Sequence, residues 1–368
     1  PFLAALREHL PEALEPHLHK GATTQDVVDT VAMLQAREAT DLLLADALAV
    51  LDGLTRLVRA HRTTPCVGRT YGQHAAPVTF GWKAAVWALG ISEAAADLAA
   101  VRAILPVSLG GPAGIPTGLG EAGPAVADDL ARDLRLASAP LAWHTRRGIV
   151  LRLGAALAAL SGALAKMAGD VAHLMSTEVG EVAEPHRPGR GGSSAMPHKR
   201  NPVGATVILS AHAHAQALLP VLAGAMVAAH ERPAGPWHGE WAVLPGLFGV
   251  LSGAAREARV LAEGLVVDPQ RMEANLALTR GLIFTDAAAA ALAPVLGREA
   301  AHTLVTRAAE RVRDGAPSLA EALSDLGAPL AGADPFSTAP AVAAAQAWID
   351  RALTAIAGVR DMLMEVSP

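Results

Sequence analysis

The run Gly191-Gly192-Ser193-Ser194-Ala195-Met196-Pro197-His198-Lys199-Arg200-Asn201-Pro202 sets two hydroxyls, a histidine, two cations and an amide beside flexible glycines. A mobile loop of this kind can close over a bound molecule. Lys199 and Asn201 then supply the charge and hydrogen bonds that a carboxylate or a developing enolate requires. The same residues also fit a solvated basic loop whose Pro202 opens the next helix. A second cluster, His19-Lys20-Gly21-Ala22-Thr23-Thr24-Gln25-Asp26, stands where a long helical pattern begins. Free amides at such a start favour an anion, and ordinary capping by Thr23 or Thr24 fits as well. The third, Gly68-Arg69-Thr70-Tyr71-Gly72-Gln73-His74, precedes another helical run and is either a polar turn or a group of ligand donors.

Of the fourteen histidines, His198 lies inside the serine loop, while His212 and His214 on one helix read as core or interface residues. No His-Glu-x-x-His and no clustered acidic spacing occurs, so no catalytic metal is expected. No glycine fingerprint follows a strand, so no nucleotide cofactor is expected either.

These clusters need rigid supports, and the composition points to helices. The chain has 368 residues, 52% of them hydrophobic and only 3% aromatic, with alanine and leucine dominant. Such side chains lose little rotamer freedom in a helix, which predicts an all-α fold. From Asp26 to about Arg62 there is no proline, and Val27, Val31, Leu34, Leu44, Leu48, Leu51, Leu54 and Val58 recur at helical spacing. Further helical runs are expected at about 75–104, 147–179, 202–229 and 242–265, with no persistent strand pattern. Asp268-Pro269 opens a new helix, and roughly the last hundred residues read as shorter helices broken at Gly315, Gly327 and Gly332. The expected domains are therefore 1–25, the remnant of a helical N-terminal domain, 26–265, a long-helix bundle, and 266–368, a smaller helical C-terminal domain.

The net charge of -5 and the lack of any run of five basic residues argue against a nucleic-acid partner. A single cysteine, Cys66, excludes an internal disulfide framework and fits a reducing, cytoplasmic setting. Between Arg200 and Glu231 there is no charged residue, and the run contains three histidines counting His230 and also Pro220. It reads as a buried central bundle helix rather than a membrane span.

The string from Ser193 to Pro202 closely resembles the signature loop of the fumarase/aspartase superfamily. That resemblance implies a long-helix bundle and casts Ser193 as general base, with Ser194, Lys199 and Asn201 among the substrate ligands. The second cluster is similar to a superfamily region that contributes a histidine and threonines, here His19, Thr23 and Thr24. The third resembles the region where adenylosuccinate and argininosuccinate lyases carry a threonine followed by the histidine that acts as general acid. Here Thr70 is followed by Tyr71, so Tyr71 or His74 replaces that acid, or no second protein acid is needed.

An aromatic residue at that place resembles the 3-carboxy-cis,cis-muconate cycloisomerase branch, as do Trp143-His144-Thr145-Arg146-Arg147, Met175 to Val182 and Trp237-His238-Gly239-Glu240-Trp241. Gly148 stands where that branch leads one to expect an acid. By resemblance, Arg69, Thr70, Gln73 and His144 join the substrate ligands, and the reaction is the cofactor-free conversion of 3-carboxy-cis,cis-muconate to 4-carboxymuconolactone. A β-eliminating lyase on an adenylosuccinate-like or nitrosuccinate-like substrate is the alternative, and a non-catalytic structural relative is another. The family also implies a homotetramer with three chains at each site.

Overall fold

Apolar side chains along Thr24–Ala60 (α2) recur on one face, at steps of three, four or seven residues, as Met33, Ala36, Leu43, Ala47, Val50, Leu54 and Val58, and all are buried. This helix is the axis of the computed structural model, which describes residues 2–330 and 332–366. A short helix, Phe2–Arg7 (α1), precedes it, and the strands Pro65–Thr70 (β1) and Gln73–Thr79 (β2) follow. Next come Phe80–Arg102 (α3), Gly123–Leu134 (α4), Gly148–Leu174 (α5), Val182–Ala183 (β3) and Val203–Gly224 (α6). Pro236–Glu240 (α7), Val243–Gly264 (α8), Val266–Val267 (β4), Pro269–Ala277 (α9) and Thr285–Leu296 (α10) continue the chain, and Arg298–Arg313 (α11), Leu319–Asp325 (α12) and Ala339–Val366 (α13) complete it.

The long helices close a ring in which α2 packs on α3 and α8, α3 on α5, and α5 and α8 on α6. The fold is all-α in its architecture, as the composition predicts. Small residues let the helices approach closely. A Cβ added at Gly53 of α2 would stand 2.6 Å from the carbonyl oxygen of Ala262 in α8.

Several features depart from the sequence expectation. Residues 65–79, partly assigned to a helical run, form an antiparallel hairpin, β1 against β2, with Thr70 paired to Gln73. Its two-residue turn is Tyr71-Gly72, both left-handed at φ 50° and 76°, the geometry that matches strand twist. The strands are too short and too irregularly buried for their alternation to stand out in sequence. At the start of α2 the buried face is also rotated from the expected one. Val27 and Val31 are exposed and line an apolar groove with Met33, Trp241, Leu244 and Phe248.

Residues 266–368, expected as one C-terminal domain, do not share a single core. Helices α10, α11 and α12 enclose their own cluster around Leu292, Val305, Val312 and Leu323, with Gly315 and Gly327 following α11 and α12. The last helix, α13, is long and returns to the bundle, burying Ile349, Ile356 and Leu363 against α3 and α2.

Helices α3, α5 and α6 are each long and apolar enough to cross a membrane. The first two bury 56% and 61% of their most apolar window inside the bundle, whereas α6, expected as a buried central helix, buries only 22%. One chain covers only one side of it.

Candidate active site

The serine loop is fixed at its base and open at its tip. Asn201 N–H donates to the Gly191 carbonyl at 2.7 Å, Gly192 and Arg200 form an antiparallel bridge, and Arg190 pairs with Glu257 of α8. Glu184 accepts from the amides of Gly204 and Ala205 at 3.0 and 2.9 Å, tying the segment before the loop to the start of α6. Between these anchors Ser194, His198 and Lys199 are exposed, while Ser193 and Asn201 are half-buried. The Met196 N–H donates to Ser193 Oγ at 3.1 Å, and Lys199 N–H to the Met196 carbonyl at 3.0 Å.

The third cluster occupies the hairpin tip. Tyr71 is fully exposed on the turn, flanked by exposed Thr70 and Gln73. His74 is half-buried, and its Nδ1 is buried without a partner. Burial, then the Arg69 charge, push the His74 imidazole below its ordinary range, with Glu181 opposing. Arg69, expected among the substrate ligands, is committed elsewhere: it grips fully buried Glu181 through two bonds of 3.1 and 2.6 Å. Glu181 also accepts from Asn275 at 2.8 Å, so a carboxylate ahead of the serine loop holds the hairpin and α9 together.

At the second cluster, Thr23 and Asp26 start α2. Thr23 N–H donates to Asp26 Oδ2 at 2.9 Å. Asp26 also accepts from the Gly110 and Gly111 amides at 2.8 and 2.9 Å and from Ser108 at 3.0 Å. His144 completes the shell, with Nε2 at 2.6 Å from Asp26 Oδ1. Burial alone would raise the Asp26 carboxyl, but the His144 bond and charge and the Thr23 and Gly111 amides outweigh it and hold it below its ordinary value. His144, expected as a substrate ligand, is 2% exposed and serves here to brace Asp26. Thr24 is exposed, and His19 is half-buried in a left-handed conformation at φ 57°.

These groups do not all meet within one chain. The starts of α2, α5 and α8 share one end of the bundle, as the Arg147–Asp29 and Trp237–Asp29 bonds require. The hairpin, the end of α5 and the serine loop lie at the other end: Phe80 N–H reaches Thr64, and Trp87 bonds Asp170. The 37 residues of α2 separate the two ends by roughly 55 Å at 1.5 Å per residue. Thus His19, Thr23, Thr24 and His144 stand far from Ser193, Ser194, Lys199, Asn201 and the hairpin.

A family profile described as "Lyase" matches residues 2–216. The chain belongs to this lyase family, within the fumarase/aspartase superfamily. A nitrosuccinate lyase of Streptomyces davaonensis is 47% identical over 322 residues, spanning 85% of this chain and 68% of that protein. A 3-carboxy-cis,cis-muconate cycloisomerase of Pseudomonas putida is 43% identical, spanning 82% of this chain and 72% of that protein. Among solved structures, the 3-carboxy-cis,cis-muconate lactonizing enzyme of Pseudomonas putida superposes with a TM-score of 0.88 at 38% identity, covering 97% of this chain and 82% of that one. A fumarate lyase from Mesorhizobium sp. BNC1 gives 0.81 at 36% identity, covering 99% and 81%.

Beside the lyase-family clusters stand residues that sequence reasoning did not select. Arg232 donates to Thr23 Oγ1 and Gln25 Oε1, both at 3.1 Å, and to the Pro112 carbonyl at 3.2 Å, setting a cation beside the second cluster. Its position after an uncharged helix gave no signal, because its partners lie 120 to 209 residues away in sequence. Glu181 and Asp26 lay within segments already singled out, but nothing local distinguished them as the acids that organise those segments.

Proposed function

We propose that this chain is a cycloisomerase that adds one carboxylate of 3-carboxy-cis,cis-muconate across a double bond, giving 4-carboxymuconolactone. Reversed, the step is a β-elimination. Ser193 exchanges the proton at the carbon next to a carboxylate, and the difficult species is the enolate formed there. The observation that carries this reading is the Met196 N–H donating to Ser193 Oγ. An unperturbed serine hydroxyl is a very weak base, so its alkoxide needs such a fixed donor and a nearby cation. Lys199 supplies the cation on the same exposed tip, and closure of the loop removes water.

Thr23, Thr24 and His19 are contributed by a different copy, since they lie at the far end of α2. We infer a homotetramer in the cytoplasm with shared sites, α6 meeting other copies through the face that one chain leaves bare. With His74 pushed toward its neutral form, Tyr71 is the better candidate for a proton donor at the hairpin.

The 47% identity to a nitrosuccinate lyase favours a second reading, elimination from a substituted succinate. An absorbance assay of the purified protein with carboxymuconate, nitrosuccinate and adenylosuccinate separates the two. Turnover of nitrosuccinate or adenylosuccinate with carboxymuconate untouched overturns the cycloisomerase reading.

A further inference from the structure

Beside the first turn of α5 lies a cavity of about 490 Å³ lined by Arg146, Arg152, Trp143, Ile149, Ile104 and Met226, together with prolines, small residues and Gly148. Two guanidinium groups line it and no carboxylate does. Arg146 spends donors on the Leu141 carbonyl at 2.8 Å and, weakly, on that of Ala142 at 3.5 Å; Arg152 has no ion-pair partner among the described residues. The lining hydroxyl of Ser138 donates to Asp128, which is outside the lining. Each guanidinium carries five N–H donors, so both keep capacity for an anion.

Gly148 sharpens this picture. It is the first residue of α5, where glycine costs helix stability, yet its φ is not left-handed and an added Cβ would meet no atom within 4 Å. Neither backbone geometry nor packing requires glycine here. What the missing side chain does is leave the cavity open and free of negative charge.

We propose that this cavity binds an organic anion with an apolar body, an aromatic carboxylate, whose charge is held by Arg146 and Arg152. The ring lies among Trp143, Ile149 and Met226. Within one chain this cavity lies at the end of the bundle that carries the second cluster, away from that chain's own serine loop, and the proposal does not depend on which reaction the enzyme performs.

Isothermal titration of the purified protein with benzoate tests it, with acetate (charge alone) and benzyl alcohol (ring alone) as comparators. Benzoate is expected to bind saturably, at least about tenfold tighter than either comparator, and the Arg146→Gln/Arg152→Gln pair to weaken it by at least about tenfold. Gly148→Asp, which fills the opening with a negative charge, is expected to weaken it likewise. Lys199→Ala is expected to leave it unchanged. Absence of saturable binding, equal affinity in the arginine pair, or loss in Lys199→Ala overturns the proposal, the last by locating the carboxylate at the serine loop instead.

Discussion

Asp26 and His144, 118 residues apart in sequence, meet at 2.6 Å where α2 begins, and four other donors converge on the same carboxylate. The pair joins the threonine cluster to the loop at Ser108–Gly111 and to the segment before α5. A carboxylate held below its ordinary value of 3.8 stabilises the fold above that pH. As pH falls below it the unfolded chain takes the proton first, so the contribution is lost as pH descends through the lowered folded value. Asp26→Ala leaves several buried donors without a partner and should cost about 3–5 kcal/mol. Urea unfolding at pH 7 and at pH 3 measures both effects: the variant should be far weaker at pH 7, with the gap narrowing at pH 3.

Ser193→Ala removes the group assigned to proton exchange from a position that bears no core packing. Its turnover should fall by about 10²–10⁴-fold while the thermal midpoint stays put. Lys199→Met should lose about 10²–10³-fold in kcat, because the cation assigned to the developing negative charge is gone. Undiminished turnover in Ser193→Ala would remove the serine from the proton exchange, and no turnover in either protein would make the chain a non-catalytic relative.

Tyr71 projects fully exposed from the hairpin turn, so Tyr71→Phe removes one hydroxyl and no packing. If the tyrosine donates a proton, kcat drops by about 10²-fold or more with an unchanged melting curve. His74→Asn should have the smaller effect of the two. The reverse order in steady-state kinetics would transfer the role to His74.

Thr23→Ala/Thr24→Ala and Ser193→Ala damage opposite ends of a helix roughly 55 Å long. Each variant alone should be poorly active. Unfolding and refolding them together should restore part of the activity, because mixed assemblies hold some sites intact in both clusters. No recovery in the mixed sample would mean that a single copy supplies each site.

Ala213 is exposed midway along α6, on a side that the chain's own helices leave uncovered. Ala213→Arg places a charge there without burying it in the isolated chain. Sedimentation velocity should show the variant shifted from a multi-chain species toward a single chain, with activity lost in parallel. An unchanged sedimentation coefficient would place the assembly surface elsewhere.

Much of the helical layout was legible because a long amphipathic helix keeps one apolar side over many turns, as α2 does from Met33 to Val58. Capping chemistry was also local, so Asp268 before Pro269 announced α9, and Asp268 does accept from the Arg271 amide at 2.9 Å. The hairpin was not legible. Its strands are short, and its turn depends on the left-handed backbone of Tyr71 as well as of Gly72. The separate fates of α10–α12 and α13 were equally hidden, since both read as amphipathic helices and only packing decides which core an apolar face joins.

By itself the sequence determined the chemical repertoire and the helical frame, because residue types and their period along a helix are local properties. It singled out Ser193, Lys199 and Asn201 as a loop suited to carboxylate chemistry. The tertiary structure alone decided which charged groups are spent on holding the frame: Arg69 on Glu181, His144 on Asp26 and Arg147 on Asp29 and Glu240. Burial makes an unpaired charge costly, so those partnerships follow from where distant segments come to rest, and no spacing along the chain encodes that distance.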